Sequence, residues 1–320
     1  MIYYSTIGIR GFGIRKSDRT TRRPDPGLPI LEPMPRAYLE LLRPANVVTA
    51  LGDVLAGFAI AGLRHPERLP WLLLSSCCLY AGGVVLNDVF DRDLDRIERP
   101  ERPIPSGRVS TRNAAVLGGG LLGAGIATAV MATAAAGAMA LAIAAAVLLY
   151  DAWGKRQAPI APLNMAMCRA LNLMLGVTAV PAALAGAWPV AAVPLLYIYA
   201  ITVLSRGEVH GGSRRATSSA LIILVASIGA LLLVIVRVPE RAVPALVLAA
   251  ALTWRVVPAF VHARRQPTPV AIRTAVKRGI LSLVLVDATI AATFAGPVFA
   301  AVILATGLVA GWLARLFAVT

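Results

Sequence analysis

Apolar runs of roughly 20 residues, the length a helix needs to cross a bilayer, recur along almost the whole of this chain. Such runs leave few folds open, because a backbone inside lipid must satisfy its own hydrogen bonds, as helices and closed barrels do. The runs are long and uninterrupted where barrel strands would be short and alternating, so the class is an all-α polytopic membrane protein. A content of 58% hydrophobic and 15% charged residues and a mean hydropathy of +0.74 agree with it. Read in order, the spans fall at 45–63, 69–88, 113–133, 135–150, 162–184, 189–206, 217–236, 241–262, 277–296 and 298–317. The reading is therefore nine core spans and a tenth at the C-terminus, with nine in all as the alternative count. Between 113 and 150 the chain is rich in Ala and Gly, and Gly118, Gly119, Gly120 and Gly123 predict close helix packing.

Basic residues are unevenly distributed among the connections. Arg10, Arg15, Lys16, Arg19, Arg22, Arg23, Arg36 and Arg43 precede the first span. The loop after the second span carries Arg92, Arg96, Arg99, Arg102, Arg108 and Arg112, and later loops on the same side add Lys155, Arg156, Arg206, Arg214, Arg215, Arg264, Arg265, Arg273, Lys277 and Arg278. The other side has little beyond Arg64, Arg68, Arg237 and Arg241. The positive-inside rule then predicts a multi-pass protein, of the inner membrane in a bacterium, with both termini in the cytoplasm. The net charge of +15 is explained by topology and by attraction to anionic lipid, so nucleic acid is not an expected partner. Residues 1–35 contain no run of span length and are rich in Arg, Pro and Gly, which predicts a disordered basic tail or an artefact of start-site choice; 36–318 form the membrane domain. Cys77, Cys78 and Cys168 fall within spans at spacings that suggest neither a metal set nor a disulfide.

Chemistry is concentrated where the second span ends, in Asn87-Asp88-Val-Phe-Asp91-Arg-Asp93-Leu-Asp95. Ionisable groups at the end of a membrane helix need a partner. On a continuous helix Asn87, Asp91 and Asp95 stack at i, i+4 and i+8 with Asp88 at the edge of the face, while Asp93 points away. Oxygens converging on one stripe repel unless a positive charge sits among them, and hard oxygen ligands suit Mg²⁺. The competing reading is a solvated helix end whose acids pair with Arg92, Arg96 and Arg99.

The same stretch followed by Arg99-Pro-Glu-Arg102-Pro-Ile-Pro-Ser106-Gly107-Arg108 resembles the first signature of the UbiA superfamily of intramembrane prenyltransferases, NDxxDxxxD and then an RP-x-x-SGR loop. Leu42-Arg43-Pro44, Asn46, Tyr150 and Lys155 are also similar, so the likeness covers roughly 36–296. Within it, Arg43-Pro-Ala-Asn46-Val-Val-Thr, Tyr150-Asp151-Ala-Trp-Gly-Lys155, Leu163-Asn164-Met and Cys168-Arg169-Ala-Leu-Asn172 resemble the EboC-like branch. The resemblance implies a UbiA-type helical bundle around a cavity open to lipid. It also implies Mg²⁺ as cofactor, a polyprenyl diphosphate donor and a small-molecule acceptor. Asp88, Asp91 and Asp95 would be catalytic, and Asn87, Asp88, Asp91, Asp95 and Glu208 would hold metal. Arg99, Arg102, Lys155 and Arg206 would hold the diphosphate.

One departure stands out. Where the superfamily has a second acidic motif, roughly D-x-x-D-x-x-G-D, this chain reads Ser205-Arg206-Gly207-Glu208-Val209-His210-Gly211-Gly212, in which only Glu208 is acidic. Three readings stay open: a one-metal prenyltransferase in which Arg206 replaces the second ion's charge, a prenyltransferase with an unusual donor, or a relative that binds isoprenoid without reacting it. Transport of an isoprenoid is a further alternative, although the chain shows no internal repeat. Acceptor or cavity contacts are expected from Asn46, Asp53, Tyr150, Asp151, Arg169, Asn172 and His210, of which Asp53 and Arg169 could instead pair with each other. Few aromatic residues lie on these polar stripes, which favours a polar, hydroxylated acceptor over a flat aromatic one. Asp287, inside the ninth span, has no partner that the sequence names.

Overall fold

The structure, a computed structural model, describes residues 34–157, 160–209 and 211–316. The expected N-terminal tail and His210 lie outside the described residues. A short α1 (Met34–Leu42) leads into α2 (Pro44–Ile60), then α3 (Leu69–Phe90), the seven-residue α4 (Arg92–Glu98), α5 (Thr111–Ala132), α6 (Ala134–Ala152), α7 (Ile160–Val177), α8 (Leu184–Ser205), α9 (Arg214–Val236), α10 (Ala242–Arg265), α11 (Pro269–Leu281), α12 (Leu283–Ala295) and α13 (Pro297–Leu316). Among the described residues, nine helical segments are long and apolar enough to cross a membrane. The 17-residue α2 packs among them; at 1.5 Å per residue it reaches about 25 Å, close to the hydrocarbon thickness.

Local chemistry sets the boundaries. Side-chain oxygens of Ser110, Thr133, Ser213 and Thr268 accept from backbone N–H groups three residues on and start α5, α6, α9 and α11. Pro44 stands at the first turn of α2, and Arg43 before it takes a left-handed conformation (φ 47°) that separates α1 from α2. Two span boundaries differ from the sequence reading. The fifth span ends at Val177 instead of 184, because Pro181 opens a new 3₁₀ turn that feeds α8. The ninth is two helices, α11 and α12, interrupted at Ser282 and starting earlier, at the Thr268 cap.

Sequential helices pack as neighbours, and α12 and α13 close on α2, so the two ends of the chain meet in the bundle. The tightest approach joins α2 to α7. A Cβ on Gly57 would collide with the Leu173 carbonyl, and one on Gly176 with the Val54 carbonyl, so both backbones touch directly where only Gly fits. Outward faces carry large apolar side chains such as Trp254, Val298 and Leu308, 78–83% exposed, as a lipid-facing surface requires.

At one end of the bundle α1 and the segment after α4 form a small roof, with Ala37, Leu41, Val85, Ile104, Val109 and Ala114 buried together. Gly107 (φ 77°) makes the turn in Ser106-Gly107-Arg108. The Ser106 hydroxyl donates to the Arg102 carbonyl (2.6 Å), while Arg108 donates to the Glu101 carbonyl (2.7 Å) and pairs with Glu40 of α1 (2.8 Å). These contacts fix the loop so that Arg102 turns inward, to 6% exposure.

Candidate functional site

Under this roof the helix of the acidic stretch bends but keeps its phase. Asp91 sits between α3 and α4 (φ −92°, ψ 3°), yet the amides of Asp91, Asp95 and Arg99 still donate to carbonyls four residues back, at 2.8–2.9 Å. Asn87, Asp88, Asp91 and Asp95 are accordingly buried on one face, and Asp93 is exposed, pairing with Arg92 and Arg96.

The i, i+4, i+8 stacking calls for positive charge among these oxygens. Protein cations stand between them. Arg43 Nη2 lies 2.6 Å from Asp88 Oδ1, and Arg102 Nη1 bridges Asp88 (3.3 Å) and Asp95 (2.8 Å). Lys155 Nζ lies 2.6 Å from Asp91 and 4.0 Å from Asp151. Accordingly, no three His, Cys, Asp or Glu side chains among the described residues form a group able to hold a metal as they stand. Of the cations that the solvated-end reading named, Arg92 and Arg96 pair with the exposed Asp93, and Arg99 is half-buried. The donor set nonetheless fits a hard divalent cation. Every donor is an oxygen, and one of them, Asp151 Oδ2, is buried with no hydrogen-bond partner. Asp151 joins the stretch through Asn87, whose amide donates to its Oδ1 at 2.7 Å.

The second loop is sparser. Ser205 donates to its own helix, at the Thr202 carbonyl (3.0 Å), and Arg206 is exposed. Glu208 is half-buried, and burial pushes its carboxyl up to about 7 against the opposing pull of Arg273 on α11.

The expected acceptor or cavity residues fall into three places. Asn46 is half-buried in the first turn of α2, where Thr49 donates to its carbonyl (2.7 Å). Tyr150, half-buried, and Asp151 end α6 beside the acidic stretch. Asp53, Arg169 and Asn172 meet deeper in the bundle. Arg169 Nε is 3.2 Å from Asp53 Oδ2, and Asn172 donates to Asp53 (2.9 Å) and to the Ala50 carbonyl (2.8 Å) while accepting from Ser76 (2.8 Å). The two deep charges therefore do pair, and Asp287 of α12 brings a second acid against α2, its Oδ2 lying beside Gly52. At 1.5 Å per residue along α2, Asp53 is about 15 Å below Arg43, so this cluster is distinct from the upper one.

Sequence reasoning gave no site role to Arg43, Asp287, Ser76 or Arg273. A signal existed for two of them. Arg43 precedes a helix-starting Pro at the membrane edge, and Asp287 is an ionisable group inside an apolar span, which is by default a reason to look for a partner.

The UbiA prenyltransferase family model matches residues 50–273. Among curated proteins, the chain is 42% identical over 130 residues to digeranylgeranylglyceryl phosphate synthase of Methanopyrus kandleri, covering 39% of this chain and 46% of that protein. To the protein of the same name from Sulfurisphaera tokodaii it is 33% identical over 179 residues, covering 55% of this chain and 63% of that one. The chain thus spans between about half and just under two thirds of these relatives' length. Among solved structures, one of digeranylgeranylglyceryl phosphate synthase in membranes superposes with a TM-score of 0.65 at 19% identity, covering 82% of this chain and 99% of that one. A homologue from Archaeoglobus fulgidus bound to GPP and Mg²⁺ superposes with a TM-score of 0.59 at 16% identity, covering 86% and 99%. At these identities the superpositions speak for the fold.

Proposed function

Because the chain belongs to the UbiA prenyltransferase family, we propose that it moves a prenyl group from a polyprenyl diphosphate to a polar, hydroxylated acceptor within the membrane. The observation that carries this reading is the buried face of Asn87, Asp88, Asp91 and Asp95 at the end of α3, roofed by a loop that aims Arg102 into it. Asn87, Asp88, Asp91 and Asp95, with Glu208 from the second loop, would hold Mg²⁺. The metal, when bound, offsets diphosphate charge and eases departure of that group from the allylic carbon.

The chain's own residues do the rest. Arg102 and Lys155 neutralise buried carboxylates in this structure, and both belong to loops or turns, so they can be shared with an incoming diphosphate; Arg99 and Arg206 lie at the same end of the bundle and add charge-assisted donors. A dry cavity within the bundle would keep water from the allylic cation left when diphosphate departs. Asn46 and Tyr150, both half-buried, would orient an acceptor, and His210 belongs to the same proposal from the second loop. The relatives' name, a synthase of a digeranylgeranylated glyceryl phosphate, supports an acceptor bearing hydroxyls. The Tyr150-to-Lys155 segment supports a narrower place in the EboC-like branch, while the relatives reported above carry a different name. The charge distribution supports both termini and this site facing the cytoplasm.

A second reading, isoprenoid binding or transport without turnover, is favoured by one observation, the single acid left in the 205–212 loop. Two measurements on the purified protein test both. Asp91→Ala should lose Mg²⁺-dependent affinity for a non-hydrolysable prenyl diphosphate analogue by a hundredfold or more while remaining a folded bundle; unchanged affinity would overturn the metal role. Mg²⁺-dependent release of diphosphate by the parent protein supports transfer, and binding without release supports the second reading.

A further inference from the structure

We propose that Asp151, from the last turn of α6, is a metal-coordinating carboxylate, standing in for acidic ligands that the 205–212 loop lacks. The inference rests on the reading above and extends it to a residue outside both acidic stretches.

Four observations converge. Asp151 is 2% exposed, at the same end of the bundle as Asp88, Asp91 and Asp95. Its Oδ1 accepts from the Asn87 side chain at 2.7 Å, so its carboxyl is tied to the first residue of the acidic stretch. Its Oδ2 has no hydrogen-bond partner. Lys155 Nζ, a protein cation, stands between this carboxyl and that of Asp91, at 4.0 and 2.6 Å. Among the described residues, Arg43, Arg102 and Lys155 pair with Asp88, Asp91 and Asp95, while Lys155 comes no nearer than 4.0 Å to Asp151. A buried carboxylate oxygen without a hydrogen-bond partner, among three further buried acids, calls for a positive charge placed against it. Among the groups at this end, an oxygen-only donor set selects a hard cation such as Mg²⁺ or Mn²⁺.

A purely structural Asp151 would do no more than accept the Asn87 hydrogen bond. Asp151→Asn separates the two roles, because its amide oxygen still accepts that bond while its affinity for a divalent cation is lost. The experiment counts Mn²⁺ bound per chain, by the loss of the free-ion electron paramagnetic resonance signal, on full-length protein with geranyl S-thiolodiphosphate. Asp151→Asn should bind one ion fewer than the parent, or bind an ion at least tenfold more weakly, with Asp151→Glu close to the parent and the exposed Asp93→Asn equal to it. An Asp151→Asn protein that binds Mn²⁺ like the parent overturns the proposal and leaves the prenyltransferase reading standing. A parent that binds no Mn²⁺ overturns both. Should Asp151→Asn fail to fold, Asp151→Cys read by the ultraviolet thiolate-to-Cd²⁺ band decides instead. A band that the parent protein lacks supports ligation at this position, and no added band overturns it.

Discussion

The bundle buries charge in two places, and they are built differently. In the upper cluster the acids sit on α3, α4 and α6, but every cation comes from a break or loop: Arg43 between α1 and α2, Arg102 in the roof, Lys155 in the turn after α6. In the deep cluster Asp53, Arg169, Asn172, Ser76 and Asp287 all lie within helices that pack around them. Long cationic side chains on loops can exchange one anion for another at modest cost. An ion pair locked between helix interiors cannot, because either partner left alone is a charge buried in lipid. The upper cluster is thus suited to admitting an anionic ligand, and the deep one to tying α2, α7 and α12 together.

The largest effect that could break this comparison is the loss of Arg169. Arg169→Met removes the cation facing Asp53, and breaking a buried pair from one side costs about 3–5 kcal/mol. Thermal unfolding in detergent should show that loss, while protein that remains folded still binds a prenyl diphosphate analogue. Adding Asp53→Asn and Asp287→Asn to Arg169→Gln, which neutralises the cluster as a unit, should recover much of the stability. An Arg169→Met protein as stable as its parent but deficient in donor binding would show the deep cluster to be part of the binding site.

Next in size is the helix crossing one turn below that cluster. Gly57 follows Asp53 and Gly176 follows Asn172 by one helical turn, and each touches the other helix's backbone. Backbone carbonyls cannot swing aside as side chains do, so Gly57→Ala should push α2 off α7 at a cost of about 1–3 kcal/mol, read in the same unfolding experiment. Gly119→Ala, whose Cβ would meet open space, is the control and should change little.

The two clusters also differ in how far they can be read from sequence. Asp88, Asp91 and Asp95 share a helix face by spacing alone, and the bend at Asp91 does not disturb the phase. Periodicity carries no information about Arg43, which reaches Asp88 only because a left-handed residue and Pro44 turn α1 back over the bundle. Spacing shows which acids share a face, and the protein cations standing among them come from elsewhere in the chain. The deep cluster is assembled by contacts such as Ser76 to Asn172 and Asn172 to Asp53, between residues far apart in the chain. Composition could flag each member as costly in lipid, and for Asp53 and Arg169 even suggest a pair, but Asp287 became legible only when α12 closed on α2.

The smallest expected effect concerns the 205–212 loop, which belongs to neither cluster and has a single buried-side acid. Burial raises the Glu208 carboxyl from an ordinary value of 4.5 to about 7, with Arg273 only partly opposing it. Below pH 4.5 the carboxyl is protonated in folded and unfolded chains alike, and the raised value costs nothing. Between 4.5 and about 7 the folded chain keeps a proton that the unfolded chain has released, so stability falls as pH rises through this window and levels off above it. Glu208→Gln cannot titrate and should lack that slope. Unfolding midpoints for parent and variant, measured from pH 4.5 to 8, should therefore diverge toward the upper end with the variant the more stable. Because the side chain is half-exposed, solvent screens much of the effect, and the divergence should be smaller than that of either helix-core variant. Parallel profiles would mean that Glu208 is open enough to water to titrate normally, and with that the case for a desolvated acid in this loop would fall.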